Sequence, residues 1–238
     1  MGLKHEIGKK ILSFLPISRR TFDILRFEMN SLKNACINAA SPRYHKRIKE
    51  IRNQKGISVN LGSGGRGLDG WVNVDALRSH RDISFTCDIR HKLPFRDGQV
   101  RRLFAEHVIE HIDFRSDLPR VLKEFYRVLE LGGRVRVIVP DGRRWLEAYV
   151  SNDPEKWAAL GFPELPSDMP TPMAMINHVF HQGGEHKFAY DFETLHWALS
   201  RAGFQLIEKR GFRDSGDPDL AIDRSEHADY SLYVEGVR

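Results

Sequence analysis

Two kinds of hydrophobic spacing divide the chain near Gly56. Before it, apolar residues recur at helical intervals: Ile7, Ile11, Leu12, Phe14 and Leu15 fall opposite Lys4, Lys9 and Lys10, and Pro16 ends that first segment. Thr21 is placed to cap a second helix carrying Phe22, Leu25, Met29, Leu32 and Cys36 on one face, and Ser41-Pro42 opens a third that runs to Arg52. After Gly56 the apolar residues come in short runs: Ile57 to Leu61, Trp71 to Val74, Ile83 to Thr86 and Val100 to Ala105, separated by polar turns. Such runs read as parallel strands buried on both faces. Asp113 to Leu129 then carries Leu118, Val121, Leu122, Phe125 and Val128 on one helical face, with Gly132-Gly133 as the stop. Arg134 to Val139 is the next strand. Asp191 caps a helix that reaches Ala202 and stops at Gly203, and Phe204 to Glu208 and Tyr230 to Val237 supply two late strands.

This alternation predicts an α/β fold: a doubly wound, mostly parallel seven-stranded sheet with helices on both faces, plus an N-terminal helical extension. Residues 1–55 read as a helical lid or buttress and residues 56–238 as the main domain. Within the latter, residues 152–190 break the rhythm with Pro154, Pro163, Pro166, Pro170 and Pro172 followed by a histidine-rich stretch. A long irregular insertion of this kind is expected to cover a substrate.

Composition narrows the class. Hydrophobic residues make up 41% of the 238 and charged residues 29%, which excludes a mostly disordered chain. The sequence has no run of roughly 18 apolar residues and no signal-peptide pattern at its start, so a cytoplasmic location is expected. Cys36 and Cys87 lack C-x-x-C spacing, which argues against a disulfide framework or a zinc knuckle and predicts two reduced, packed thiols. The net charge of +5 suggests a nucleic-acid partner until it is partitioned. Residues 1–55 hold 13 Lys and Arg against 4 Asp and Glu, a net +9, which leaves residues 56–238 at −4. The basic face belongs to the extension, where it reads as a solvated helix surface or a peripheral membrane contact.

The chemistry centres on Val59 to Gly67, where a buried strand runs into a glycine-rich loop. Gly62, Gly64 and Gly67 match G-x-G-x-x-G, the loop of a nicotinamide dinucleotide site. The acidic residue of that fingerprint lies about 20 residues on. Here Asp75 ends the next strand much sooner, and only residues 62–71 separate the two strands, too few for a full crossover helix. Asp75 is placed to accept hydrogen bonds from a ribose diol, and Asp88, ending the third strand, from an adenine amino group. Glycine loop, Asp75 and Asp88 therefore finish three successive strands on one sheet edge, the edge where open α/β sheets bind ligands.

The segments Asn60-Leu-Gly-Ser-Gly64, Gly70-Trp-Val-Asn-Val-Asp75, Asp88-Ile-Arg-His-Lys-Leu-Pro-Phe95, Glu106-His-Val-Ile-Glu-His111 and Leu131-Gly-Gly-Arg-Val-Arg-Val-Ile-Val-Pro-Asp141 resemble, in order, the motifs of class I S-adenosylmethionine-dependent methyltransferases of the small, type 11-like kind. The resemblance covers about residues 57–237. It implies S-adenosyl-L-methionine as cofactor, with Asn60, Gly62, Ser63 and Gly64 around its methionine part, Asp75 at ribose, Asp88 and Ile89 at adenine, and Glu106 and His107 lining the site after the fourth strand. The chain lacks the Asp/Asn-Pro-Pro-Tyr motif and the Pro-Cys nucleophile of nucleic-acid methyltransferases, so the expected acceptor is a small molecule, a sugar or a lipid-linked glycan, and nucleic acid is not expected.

Methyl transfer is an in-line displacement in which positioning supplies most of the catalysis, and a base is needed only for a hydroxyl or comparable acceptor. The candidate bases are His107, His111, His178, His181 and His186. His186 is favoured because Glu185-His186-Lys187 precedes the cap Asp191 as the family's histidine does, and Asp141, ending the fifth strand, is placed either to orient the acceptor or to cap the next helix. His178, His181, Glu185 and His186 have the chemistry of a metal site, but their spacing matches no zinc motif and no metal is expected. Two other readings stay open: a nicotinamide-dependent oxidoreductase, and a non-catalytic S-adenosylmethionine-binding accessory protein.

Overall fold

The computed structural model describes residues 16–78 and 80–238; the helix expected over Lys4 to Leu15 lies outside them. Among the described residues a seven-stranded sheet is formed by β1 (Ile57–Leu61), β2 (Val72–Asp75), β3 (Phe85–Thr86), β4 (Val100–Glu106), β5 (Leu129–Pro140), β6 (Leu206–Arg210) and β7 (Ser231–Val237), in the order β3-β2-β1-β4-β5-β7-β6. All pairings are parallel except those of β7, which runs antiparallel to both β5 and β6. Leu61 pairs with Val74 and with Ala105, and Val74 with Phe85. This register delivers the residues after β1, β2, β3 and β4 to one edge, so the site is set by strand pairing.

The crossover from β1 to β2 holds no helix; residues 62–71 are turns. Two buried asparagines do the satisfying that a helix ladder would otherwise do. Asn60 Nδ2 donates to Asn73 Oδ1 at 3.0 Å and to the Arg66 carbonyl at 3.1 Å, while Asn73 accepts from Leu68 N at 2.9 Å and donates back to the Leu68 carbonyl at 3.1 Å. The polar backbone of a short, part-buried loop is thereby paired.

α1 (Arg19–Ala40) starts at Ser18 rather than Thr21, and α2 (Pro42–Arg52) starts as expected at Ser41-Pro42. α1 corrects the expectation of a packed Cys36. Its apolar residues face outward, with Leu25, Met29 and Leu32 half or more exposed and Cys36 exposed too. Its polar stripe Ser31, Asn34 and Asn38 faces the sheet instead. Asn34 Nδ2 donates to the Ala76 carbonyl at 3.0 Å, and Asn38 Nδ2 to the Thr86 carbonyl at 2.8 Å. The cause is the strand ends, whose terminal carbonyls lack ladder partners and are met by side-chain amides.

α3 (Leu118–Val128) is shorter than the helix expected from Asp113, because Asp113 spends its carboxylate on a turn, accepting from Arg115 N and Ser116 N. It buries Leu118, Val121, Leu122, Phe125 and Val128, each contributing about 1.5–3 kcal/mol when fully buried. It ends at Val128, and Leu129 already belongs to β5, so Gly132-Gly133 does not stop it. Those glycines lie within β5, where Gly132 has φ +78° and a Cβ on Gly133 would come within 2.8 Å of the Glu130 carbonyl.

α4 (Gly142–Ser151) leads into the insertion, which contains two helices, α5 (Pro154–Ala158) and α6 (Pro172–His181), each opening on a proline. The expected irregular stretch has a small core of its own, with Trp157, Leu160, Met175 and Ile176 packed on Trp145 and Ala148 of α4. α7 (Phe192–Ala202) runs from the Asp191 cap to Gly203, at φ +117°.

Candidate active site

The loop after β1 is shaped by its backbone. Gly62 has φ +62° and Gly64 φ +53°, and a Cβ on Gly62 would lie 3.2 Å from Val108 Cγ1 and closer still to Cγ2. Gly64 N donates to Asp75 Oδ2 at 2.8 Å, and Asp75 Oδ1 accepts from Leu77 N at 2.9 Å. Ser63 N donates to the Val74 carbonyl at 3.1 Å, yet its buried Oγ has no hydrogen-bond partner. A glycine cradle, a strand-end carboxylate and an orphaned hydroxyl fit a ligand carrying a ribose and a charged tail. Asn60 braces this loop from below through the bonds already given.

The third strand end differs from expectation. Asp88 accepts from Ser31 Oγ of α1 at 2.9 Å, from Arg90 N at 3.0 Å and from Arg90 Nη2 at 2.7 Å, and Arg90 continues to Glu28 of α1. Burial pushes the Asp88 carboxyl up, but the Arg90 and Ser31 hydrogen bonds outweigh it and hold the group below the usual carboxylate range. Asp88 is thus engaged by α1, and Ile89 is packed in the core. Nothing in the sequence spacing announced Ser31 or Arg90 as its partners.

After β4, Glu106 is buried and held by Arg224, whose N and Nε donate to it at 2.9 and 2.7 Å, with Arg66 Nη1 at 3.5 Å. It is a bracket for the loop before β7. His107 has the left-handed φ of +54°, a strained conformation for this residue type. Its Nδ1 lies 3.0 Å from Glu110 Oε1 and its Nε2 3.0 Å from Ser231 Oγ. The ring sits 4.3 Å from that of His227, which is hydrogen-bonded to Tyr230 Oη. The His227 pKa is pushed down to about 4, first by burial and then by His107 and Arg224. Arg224, His227 and Ser231 carry no motif, and only the fold brings them here.

Asp141 is the N-cap of α4, accepting from Arg144 N, and its buried position bridges to Tyr190. Of its two expected roles the cap is the one with a bond. His186 is buried with Nδ1 2.6 Å from the Val179 carbonyl, and burial pushes its pKa down. Its neighbours are Glu110 and His111, the His111 ring being 4.9 Å away. His178, His181 and Glu185 are exposed, so the insertion's histidines do not gather among themselves.

Residues 69–137 match the family model of a methyltransferase domain, a segment running from the start of β2 into β5. No curated protein matches the chain. Among solved structures, phosphoethanolamine N-methyltransferase 2 of Haemonchus contortus, in complex with S-adenosyl-L-methionine, shares 12% identity at a TM-score of 0.45, over 82% of this chain and 52% of that one. The chain therefore spans about half the length of that protein. A methyltransferase of Thermotoga maritima, a possible histamine N-methyltransferase, shares 17% at 0.45 over 89% and 96% of the two chains. One from Archaeoglobus fulgidus shares 14% at 0.46 over 86% and 94%.

Proposed function

We propose that this S-adenosylmethionine-dependent methyltransferase transfers the methyl group to a hydroxyl of a small molecule, a sugar or a lipid-linked glycan, with His107 as the base. The observation that carries the reading is the line Glu110–His107–Ser231, in which a buried carboxylate stands 3.0 Å from one ring nitrogen and a hydroxyl 3.0 Å from the other. An imidazole with a carboxylate at one ring nitrogen is oriented for base work at the other, and Ser231 Oγ marks the place a substrate hydroxyl would take there. S-adenosylmethionine, when bound, supplies an electrophilic methyl group on a sulfonium. Gly62, Ser63 and Gly64 would hold its methionine part and Asp75 its ribose.

The exposed apolar residues of α1, beside the basic helix α2, support the lipid-linked end of that acceptor range and a peripheral membrane contact. Among the described residues no helix is long and apolar enough to cross a membrane.

The test is calorimetric titration with S-adenosylmethionine, S-adenosylhomocysteine and nicotinamide dinucleotides, followed by acceptor screening with labelled methyl donor. Asp75→Ala is expected to weaken binding of the sulfonium ligands by roughly 10–100-fold, the value of a hydrogen bond to a charged group. His107→Gln is expected to leave that binding intact and lower turnover by about 10²–10⁴. Binding of a dinucleotide alone would overturn the cofactor, and unchanged turnover in His107→Gln would overturn the base.

A further inference from the structure

We propose that Glu110, His111 and His186 form a site for one divalent transition-metal ion, with two imidazoles and a carboxylate as ligands. One ligand atom from each of the three lies within 4.8 Å of the others. In a tetrahedral zinc site ligand atoms stand about 3.3 Å apart, so closure needs side-chain rotations of an ångström or so.

The polarity of the cluster is what requires a cation. Glu110 is 1% exposed and neither carboxylate oxygen accepts a hydrogen bond, although His107 Nδ1 stands 3.0 Å from Oε1. His186 Nδ1 lies 2.6 Å from the Val179 carbonyl and His111 Nδ1 3.2 Å from the Glu185 carbonyl. Carbonyl oxygens only accept, so each Nδ1 carries the proton and each Nε2 presents a lone pair. Glu110 Oε2 and the two imidazole Nε2 lone pairs then face one another, while His107 Nδ1 stands at the other carboxylate oxygen, so a cation among the three is favoured in this buried site. Anchoring one ring nitrogen on a backbone carbonyl is also how metal-bound histidines are oriented.

The backbone supports the same assignment. Lys187 N and Phe188 N both donate to the Glu110 carbonyl, at 2.7 and 3.3 Å, fastening the His186 segment to the Glu110 turn. His186 is delivered by three successive residues of positive φ, Gln182, Gly183 and Gly184. Of these only Gln182 is strained by its left-handed conformation, since glycine adopts positive φ freely. Two imidazoles with one carboxylate suit zinc, iron, manganese or cobalt, whereas magnesium and calcium take oxygen ligands. Three protein ligands leave a coordination position open. The site shares Glu110 with the Glu110–His107 pair of the proposed base, and its test reads metal uptake rather than turnover, so the two can fail separately.

The test uses the full chain after chelator treatment, titrated with zinc by calorimetry and with cobalt(II) by visible absorption. One ion per chain is expected, with the d–d absorption of a low-coordinate cobalt site that zinc displaces. Glu110→Gln, His111→Gln and His186→Asn should each weaken binding at least tenfold, while the double substitution His178→Ala/His181→Ala leaves it within threefold. Circular dichroism of each metal-free variant checks its fold, and if the variants do not fold, the wild-type cobalt spectrum decides. Absence of stoichiometric uptake by the wild type would overturn the site, as would uptake that survives all three ligand substitutions or depends on His178 and His181.

Discussion

Gly62→Ala probes the glycine loop proposed to hold the cofactor, and its cost can be worked out in parts. At φ +62° an L-residue pays roughly 1–2 kcal/mol of left-handed strain. The new Cβ meets Val108, a β-branched side chain that is stiff at χ1, and overpacking of this kind costs about 1–3 kcal/mol. Against this, alanine removes unfolded-state freedom and returns about 0.4–1 kcal/mol. The net expectation is a loss near 3 kcal/mol, which corresponds to a fall of about 6–12 °C in Tm for a chain of this size. Urea denaturation followed by circular dichroism measures it. In a Val108→Ala background the steric part disappears and the same substitution should cost only about 1 kcal/mol, so a double-mutant cycle isolates the contact. Equal costs in the two backgrounds would refute the contact with Val108. A cost below about 0.5 kcal/mol in the wild type would refute the left-handed loop itself.

Arg136, Asp223 and Glu235 are fully buried, and Arg136 donates to both carboxylates and to the carbonyls of Gly211 and Asp214. Arg136→Met leaves the buried Asp223 without its cationic partner, Glu235 keeping Arg134 and Arg210, and is expected to cost about 3–5 kcal/mol in urea denaturation, partly restored by adding Asp223→Asn. His227 titrates near 4 in the folded chain, below its ordinary value of about 6.5. The unfolded chain therefore binds the proton first, so the neutral imidazole's contribution is present above pH 6.5 and is lost as the pH falls toward 4. Replacing it by His227→Phe should flatten the stability-against-pH curve across that window, and a curve of unchanged slope would contradict the burial argument.

The strands were legible because a doubly buried strand leaves little choice but a continuous apolar run, and β1 was bounded correctly at Ile57 and Leu61. The missing crossover helix could be read from residue count alone. The face of α1 could not, because helical periodicity says which residues share a face and not which face is covered. Its partners Ala76, Thr86 and Asp88 lie 42 to 57 residues away. The insertion misled for a related reason: its prolines read as breakers, whereas Pro154 and Pro172 open helices at their first turns. Asp75 ends β2 as its position in the sequence implied, bonded to the Gly64 amide. Glu110 passed unnoticed inside its motif, since only the turn after β4 and the loop at His186 bring their groups together.

The placement of α1 ties the extension to the proposed cofactor site. Whatever covers the ends of β2 and β3 must supply donors, and in the structure those donors are Ser31, Asn34 and Asn38. An adenine amino group that reaches the Asp88 carboxylate needs an oxygen lone pair now given to Ser31 or Arg90. Cofactor binding and this α1 contact are then linked, and linkage is reciprocal. Ser31→Ala removes one such competitor and should tighten S-adenosylmethionine binding by up to about fivefold, the worth of one hydrogen bond of roughly 1 kcal/mol. Calorimetry on the variant reads the sign directly. Tighter binding places adenine on Asp88 in exchange for the helix; equal or weaker binding means that Asp88 serves only to hold α1, and that the adenine end of the site lies elsewhere on this edge.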